Sequence, residues 1–450
     1  MKATQRRPSA LLVRLGFALW GLALVLEVAA LSRGEAFVVG IDLRAGVVSL
    51  ALTLAGAALL DLIAIHRRAA PEVRRVLPRI LALKTWSDVG VEVRSRDALG
   101  RDALLIDSVP QPAEVEGLPI HLSGVANATE RVQYRFRPLV RGDVIFDRLT
   151  LRASSPLGLW RFAARVGAVE TERVFPNFAA TARFDALLSE ARIREVGIKR
   201  RQRRGEGLEF HQLRAYRPGD TIRQIDWKAT SRKRELISRE YEEERDQRVV
   251  FFLDCSRRMR TKDGELSHFD HSLNAMILLA HVALKGGDAV GLLSFGEERR
   301  WLPPAKGVSN VHRLLRTVYD LEPTTLGVDF RGAAEELCRR QRRRSMVVVL
   351  THLRGEDLED LLPAVHLMRR THYVVVVDLR QGEVDELLAR DPKSLSEAFS
   401  AMGAWRHDIE RRELHDRLRS DGLQPLDVTP DQLGAAIVSR YYEVKQGGQL

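Results

Sequence analysis

Cysteine is nearly absent from this chain of 450 residues, with only Cys255 and Cys338 present. Neither belongs to a CxxC pair. That excludes a disulfide framework or a cysteine-based zinc site and fits a reducing compartment. No stretch reads G-x-x-x-x-G-K-[ST], so ATP hydrolysis through a P-loop is excluded as well. Acidic residues are in deficit, 60 Asp and Glu against 71 Lys and Arg, which gives a net charge of +11 and a pI of about 9.9. Such an excess points to an anionic partner: a membrane surface, nucleic acid or an acidic protein. What is plentiful is apolar residues, 45% against 29% charged, the balance of a globular chain long enough for two or three domains.

Long apolar runs are confined to the N-terminus. Leu15 to Leu31 is interrupted only by Glu27, and Ala45 to Ile65 only by Asp61. A helix needs about 20 such residues to cross the hydrocarbon layer. A second run following at once, and Glu27 inside the first, argue against a cleaved signal peptide. The pattern predicts a transmembrane hairpin over residues 1–70, with helices at about 15–31 and 45–65. Lys2, Arg6, Arg7 and Arg14 precede it, and Arg67, Arg68, Arg74, Arg75 and Arg79 follow it. The loop Ser32–Arg44 is mixed in charge. Both termini are therefore expected on the cytoplasmic side. Glu27 and Asp61, near helix ends, read as carboxylates reaching the interface rather than as an ion path.

Residues 71–180 change character. Val89-Gly-Val-Glu-Val-Arg, Val132-Gln-Tyr-Arg-Phe-Arg and Leu149-Thr-Leu-Arg alternate with period two between Gly and Pro. This predicts a small antiparallel β-sandwich. It carries no catalytic constellation and reads as a spacer or docking domain.

Residues 181–247 form a charged connector. Between Ala191 and Arg248 stand 17 Lys and Arg against 11 Asp and Glu, a net of +6. Its cluster Lys199-Arg-Arg-Gln-Arg-Arg204 could face nucleic acid, but only Phe210, Tyr216, Trp227 and Tyr241 are there to stack on bases. A patch facing anionic lipid accounts for it better. Within the connector, Gly207-Leu-Glu-Phe-His-Gln-Leu-Arg-Ala-Tyr-Arg-Pro-Gly-Asp220 runs on into Thr-Ile-Arg-Gln-Ile-Asp-Trp-Lys228. Pro218-Gly219 makes a turn. Asp220 and Asp226 bracket Arg223, an arrangement that can lock an irregular segment. Glu209, Arg214, Tyr216, Pro218, Gly219, Asp220, Arg223, Asp226 and Trp227 are the interaction candidates. No nucleophile and base pair stands out among them.

From residue 248 to 450, strands alternate with helices. Val249–Leu253, Ala289–Phe295, Met346–Leu350 and Tyr373–Val377 are apolar runs, and helical patterns cover about 269–284, 308–319 and 330–340. This predicts a doubly wound α/β domain with a parallel sheet, and Asp254 at the carboxyl end of its first strand.

The run GLEFHQLRAYRPGDTIRQIDW, followed by DCSRRM, resembles the bacterial family called domain of unknown function 58. RASSPLGLW and RVFPNF upstream, and LDVTPDQLGAAIVSRYYEVK at the end, are similar to it too. The resemblance implies a multi-pass protein of the bacterial inner membrane with a von Willebrand factor A-like domain. It also implies a partnership with MoxR-type AAA ATPases in assembly or maturation of client proteins. Domains of that kind usually hold magnesium through Asp-x-Ser-x-Ser on one loop, a Thr on a second and an Asp on a third. Asp254 and Ser256 match. Arg258, Val328 (beside Thr324 and Thr325) and His352 do not, and Arg258 is expected to pair with Asp254 instead. The implied reading is a non-catalytic adaptor without a metal or other cofactor. The alternatives are a metal-dependent enzyme using Asp220, Asp226 or Asp254, and a nucleic-acid-binding membrane protein.

Overall fold

The computed structural model describes residues 5–33, 43–99, 102–177, 209–217, 222, 225–242 and 247–447. These fall into two compact units, Met1–Phe175 and Pro176–Leu450.

The first unit opens with a short strand, Gln5–Pro8, and two helices, Ala10–Arg33 and Leu43–Arg67. Ser9 caps the first helix: its Oγ accepts from the Leu12 amide at 3.2 Å. Among the described residues, Gly46–Arg67 is long and apolar enough to cross a membrane, with mean hydropathy 2.2, while Ala10–Val25 is apolar but shorter. Both leave large apolar side chains uncovered, among them Phe17, Trp20, Leu52 and Leu60.

The sheets that follow match the expected strands but not a purely antiparallel sandwich. Trp160–Val166 is flanked by Gln5–Pro8 and Leu149–Ser154 in a five-stranded sheet. Glu72–Val76, Ser87–Ser95, Ala128–Pro138 and Ala113–Glu116 make a four-stranded one. A three-stranded sheet holds Leu81–Ala82, Glu170–Phe175 and Gly142–Phe146, and its first pair is parallel. The period-two alternation does its expected work: Ser87–Ser95 buries Val89, Val91 and Val93 and turns the residues between them outward.

Two parts of the basic flanks have further roles in the sheets. Residues 5–8 are not only a basic flank but a sheet strand, in register Arg7↔Arg161 and Pro8↔Trp160. Arg75, counted from the sequence among the basic residues that follow the second helix, is part of the sheet interior. It is buried against Asp107, donating through Nε at 2.9 Å and Nη2 at 2.6 Å, and lies over the Phe146 ring. Tyr134 donates to the same carboxylate at 2.6 Å. A buried arginine needs this pairing, because an unpaired charge there would cost several kcal/mol.

In the second unit Glu209–Ala215 pairs with Ile237–Glu242. The α/β part is one six-stranded sheet in the order Trp301–Ala305, Ala289–Phe295, Arg248–Asp254, Met346–Thr351, Tyr373–Leu379, Leu426–Val428. All neighbours are parallel except the edge strand Trp301–Ala305, where Pro303 and Pro304 are tolerated because an edge leaves N–H positions unused. Gly291 lets that edge approach closely, since a Cβ there would lie 2.7 Å from the Leu302 carbonyl oxygen.

Val250, Phe252, Val347 and Val349 pack on one face with the helices Phe330–Arg340 and Leu358–Arg369 and with Leu414 and Leu418. The helices His268–Lys285 and Pro430–Gln446 pack on each other and touch the sheet as well. Sheet order reverses direction at the central strand Arg248–Asp254, so its carboxyl end is the topological switch point.

Candidate functional site

Asp254 ends the central strand, fully buried at 0% exposure. Three loops converge on it. The Cys255 carbonyl accepts from the Thr324 amide at 2.8 Å, and the Leu326 carbonyl accepts from Arg257 N at 3.1 Å. Thr351 Oγ1 donates to Asp254 Oδ2 at 2.7 Å. The loops carrying Ser256 and Arg258, Thr324 to Val328, and His352 are thus brought together as the sequence pattern implied.

One pairing in that space differs from expectation. Arg258 pairs with Glu356 and Asp357, not with Asp254. The short turn Gly355–Asp357 offers two carboxylates at the rim, and Asp254 is already satisfied by neutral donors: Thr351 and the Ser256 amide, the latter at 2.7 Å. Burial pushes the Asp254 carboxyl above its ordinary value, while the bonds from Thr351 and Ser256 work against that shift.

His352 is buried, with Nδ1 2.8 Å from the Leu379 carbonyl, and its ring meets the His268 ring edge-on at 4.9 Å. Burial drives His268 down to about 3, with the neighbouring His352 adding to the effect. Val328 packs against the apolar core.

A hard divalent cation needs several oxygens in near-octahedral geometry. The loops supply one carboxylate, Asp254, the Thr351 hydroxyl that already donates to it, and the buried Ser256 Oγ, which has no hydrogen-bond partner among the described residues. Arg258 is spent on carboxylates, Val328 has no donor, and His352 is a nitrogen base bound to a carbonyl. This donor set does not fit magnesium.

Beside these loops lies a buried network that sequence reasoning missed. Asp378 is fully buried at the end of Tyr373–Leu379 and accepts from the Leu353 amide at 2.8 Å. It also pairs with His415 Nε2 and Arg411 Nη2, both at 2.8 Å. Asp427 joins Arg380, Arg411 and His415. Burial lowers the His415 pKa, but the two carboxylates outweigh it and hold it raised. His415 and Arg411 lie on Leu395–Ser420, a helix absent from the sequence reading. The only available signal was the spacing of Arg411, Leu414, His415 and Leu418 on one face.

The connector motif is partly described. Tyr216 N donates to the Leu236 carbonyl at 2.8 Å, and Asp226 N to the Ile237 carbonyl at 2.8 Å. Asp226 Oδ1 accepts from the Ala229 amide at 3.0 Å and so caps the helix Trp227–Lys233. The Trp227 side chain is exposed. Glu209 and Arg214 lie in a strand, but their side chains, and Pro218, Gly219, Asp220 and Arg223, lie outside the described residues. So do the pairing proposed for Arg223 and the cluster Lys199–Arg204.

Known sequences bear on this region directly. The family described as "Protein of unknown function DUF58" matches residues 212–412. The uncharacterized protein YeaD of Bacillus subtilis is 26% identical over 280 residues, 60% of this chain and 62% of the relative. The match thus spans less than two thirds of the Bacillus protein. The uncharacterized protein Rv1480 of Mycobacterium tuberculosis is 25% identical over 260 residues, covering 55% of this chain and 82% of its own. Among solved structures, an aerotolerance-related membrane protein from Bacteroides fragilis aligns with 29% of this chain and 67% of its own, at 18% identity and a TM-score of 0.23.

Proposed function

We propose that this chain is a membrane-tethered adaptor whose α/β unit, of von Willebrand factor A-like architecture, docks a protein partner. The partner we assign is an AAA-type ATPase of the MoxR kind, acting on a client. One observation carries the reading. Leu395, Phe399, Met402 and Trp405 form a stripe along Leu395–Ser420, and all four are between 63% and 76% exposed. Large aromatic and methionine side chains left in water on one helix face are the composition of an interface centre rather than of a free surface.

The switch point supports a non-catalytic role. Its charged side chains are largely engaged with one another, and the donor set fits no magnesium ion. The strand order with one antiparallel edge agrees with the proposed architecture. Apolar helices with uncovered side chains support membrane association; two crossings of a bacterial inner membrane with both termini cytoplasmic are part of the proposal and rest on the basic flanks. Nucleic acid is not favoured, because Phe399 and Trp405 sit on an apolar stripe and, of the connector aromatics, Trp227 alone is exposed among the described residues, too few for a stacking platform.

The test is recovery of the ATPase on immobilised full-length protein solubilised in detergent. Phe399→Asp with Trp405→Asp should cut recovery more than tenfold, as loss of interface anchors does. Unchanged recovery with a folded variant would remove the stripe from the interface.

A further inference from the structure

The outer face of the five-stranded sheet carries an unusual concentration of like charge. Arg7 and Arg161 stand directly opposite each other across the strands Gln5–Pro8 and Trp160–Val166. Directly opposed residues in an antiparallel pair have Cβ atoms about 5 Å apart, and like charges there are destabilising. Arg152 lies opposite Ala163, and Arg165 lies opposite Thr150, so both share the face of Arg161. The inward residues between them, Leu151, Ala153, Phe162, Ala164 and Val166, are all buried. All four arginines are exposed, and none forms an ion pair among the described residues. The carboxylate nearest by register, Asp102, accepts a hydrogen bond from Ser154, which faces Arg161 from the other side.

The position of this face says what would neutralise it. Trp160, next to Arg161, donates through Nε1 to the Ala58 carbonyl at 2.8 Å. Ala58 lies within the apolar helix, beside Leu59 and Leu60, which are 59% and 68% exposed. Asp61 of the same helix is buried and accepts from Ser155 Oγ, from Leu157 N at 3.0 Å and from Leu159 N at 3.2 Å. Arg7 stands two residues before the cap of the other helix. The arginine pair is therefore held within one or two residues of the apolar zone. The polar headgroup layer, about 5 to 7 Å deep on each side, is reached toward the basic end of this helix at Arg67, about 13 Å along the axis from Ala58.

We propose that Arg7 and Arg161 form a binding site for the phosphate of anionic phospholipids, extended outward by Arg152 and Arg165. Guanidinium groups bind phosphate oxygens bidentately, and a phosphate between them turns mutual repulsion into attraction. The inference rests on the membrane-tethered reading above.

The test uses the full-length chain. Membrane fractionation comes first. The protein is then solubilised, and the phosphatidylglycerol and phosphatidylcholine it retains from an equimolar mixture are counted by native mass spectrometry. A basic residue at an anionic surface is worth about fivefold, so two arginines should give a preference of about 30-fold for phosphatidylglycerol. Arg7→Gln with Arg161→Gln should abolish most of it without lowering the melting temperature. Arg7→Lys with Arg161→Lys, which keeps the charge but loses the bidentate fork, should fall between wild type and the glutamine variant, and Arg135→Gln, on another sheet, should keep all. Inorganic phosphate in excess should not displace the lipid.

A wild type without preference, a glutamine variant that keeps it, or displacement by free phosphate would each overturn the site while leaving the tether intact. A glutamine variant that loses capture of an acidic protein but no lipid would assign the face to that protein and overturn the site too. Recovery of the chain in the soluble fraction would overturn the tether, and this site with it.

Discussion

At the scale of single residues, the switch point is held together by groups that a sequence shows only as isolated letters. His268 is an example. It is fully buried, and neither ring nitrogen has a hydrogen-bond partner among the described residues. An unfolded histidine takes up a proton near 6.5, whereas His268 in the folded protein does so only at about 3. Between those values the unfolded chain binds the extra proton, so stability falls as pH drops through this window and is unaffected above it. At pH 5 the loss is about 2 kcal/mol. His415 has the opposite sign. Its raised pKa contributes stability that is complete below 6.5 and fades as pH rises through its folded value. Urea unfolding of His268→Phe at pH 7 and pH 5 should show a flatter acid limb than wild type, and an equal loss in both proteins would mean that other groups govern it. Asp226 gives a second residue-level prediction. As a helix cap, its change to alanine should cost about 1 kcal/mol, and Asp226→Asn should restore most of that. Equal losses for both changes would indicate that the carboxylate charge, not the cap, is what matters.

At the scale of elements, legibility followed how much of an element's burial lies on one face or on all. The strands at 249–253, 289–295, 346–350 and 373–377 are buried on both faces and read directly as apolar runs. Leu395–Ser420 did not read as a helix because its apolar stripe changes direction. Leu395, Phe399, Met402 and Trp405 face solvent, whereas Ala404, Leu414 and Leu418 face the core. The gathering of the loops that carry Thr324 and Thr351 at the end of the Asp254 strand was legible from strand order, because loops after parallel strands must gather at one edge. The Arg258 pairing was not, since Glu356 and Asp357 are nearly a hundred positions away. Asp61 shows the same limit. It is read from sequence as a carboxylate reaching the membrane interface, but it is the acceptor that fastens the turn Ser155–Trp160 to the helix Leu43–Arg67. Replacing it by leucine leaves two amides and a hydroxyl without an acceptor, at about 1–3 kcal/mol for each buried group. Asp61→Leu should lower the melting temperature in detergent and expose this turn to protease. Asp61→Asn, which keeps one carbonyl oxygen, should fall between it and wild type. A leucine variant as stable as wild type would show that the turn holds without this clamp.

At the scale of the whole molecule, the strand Gln5–Pro8 constrains topology more tightly than charge counting does. Its residues are hydrogen-bonded in register to Trp160–Ala163. Two strands cannot pair across about 30 Å of hydrocarbon, so residues 5–8 and 160–163 must share one side of any membrane the chain enters. Between them the chain therefore crosses an even number of times. Gly46–Arg67 is long enough for one crossing, and Ala10–Arg33 is the remaining helix available for the other. Under the proposed membrane-tethered reading, the basic residues outside the two helices argue for the cytoplasm as the shared side. We expect a reporter that works only in the cytoplasm to be active both before Met1 and after Leu450, and a periplasmic reporter to be active when inserted between residues 34 and 42. Reporters that place the two ends on opposite sides would be incompatible with the strand pairing. Deleting residues 1–8 adds a second check. It would remove one edge strand and expose the backbone of Trp160–Ala163, so the truncated protein should melt lower and aggregate more readily than wild type even where both helices still insert.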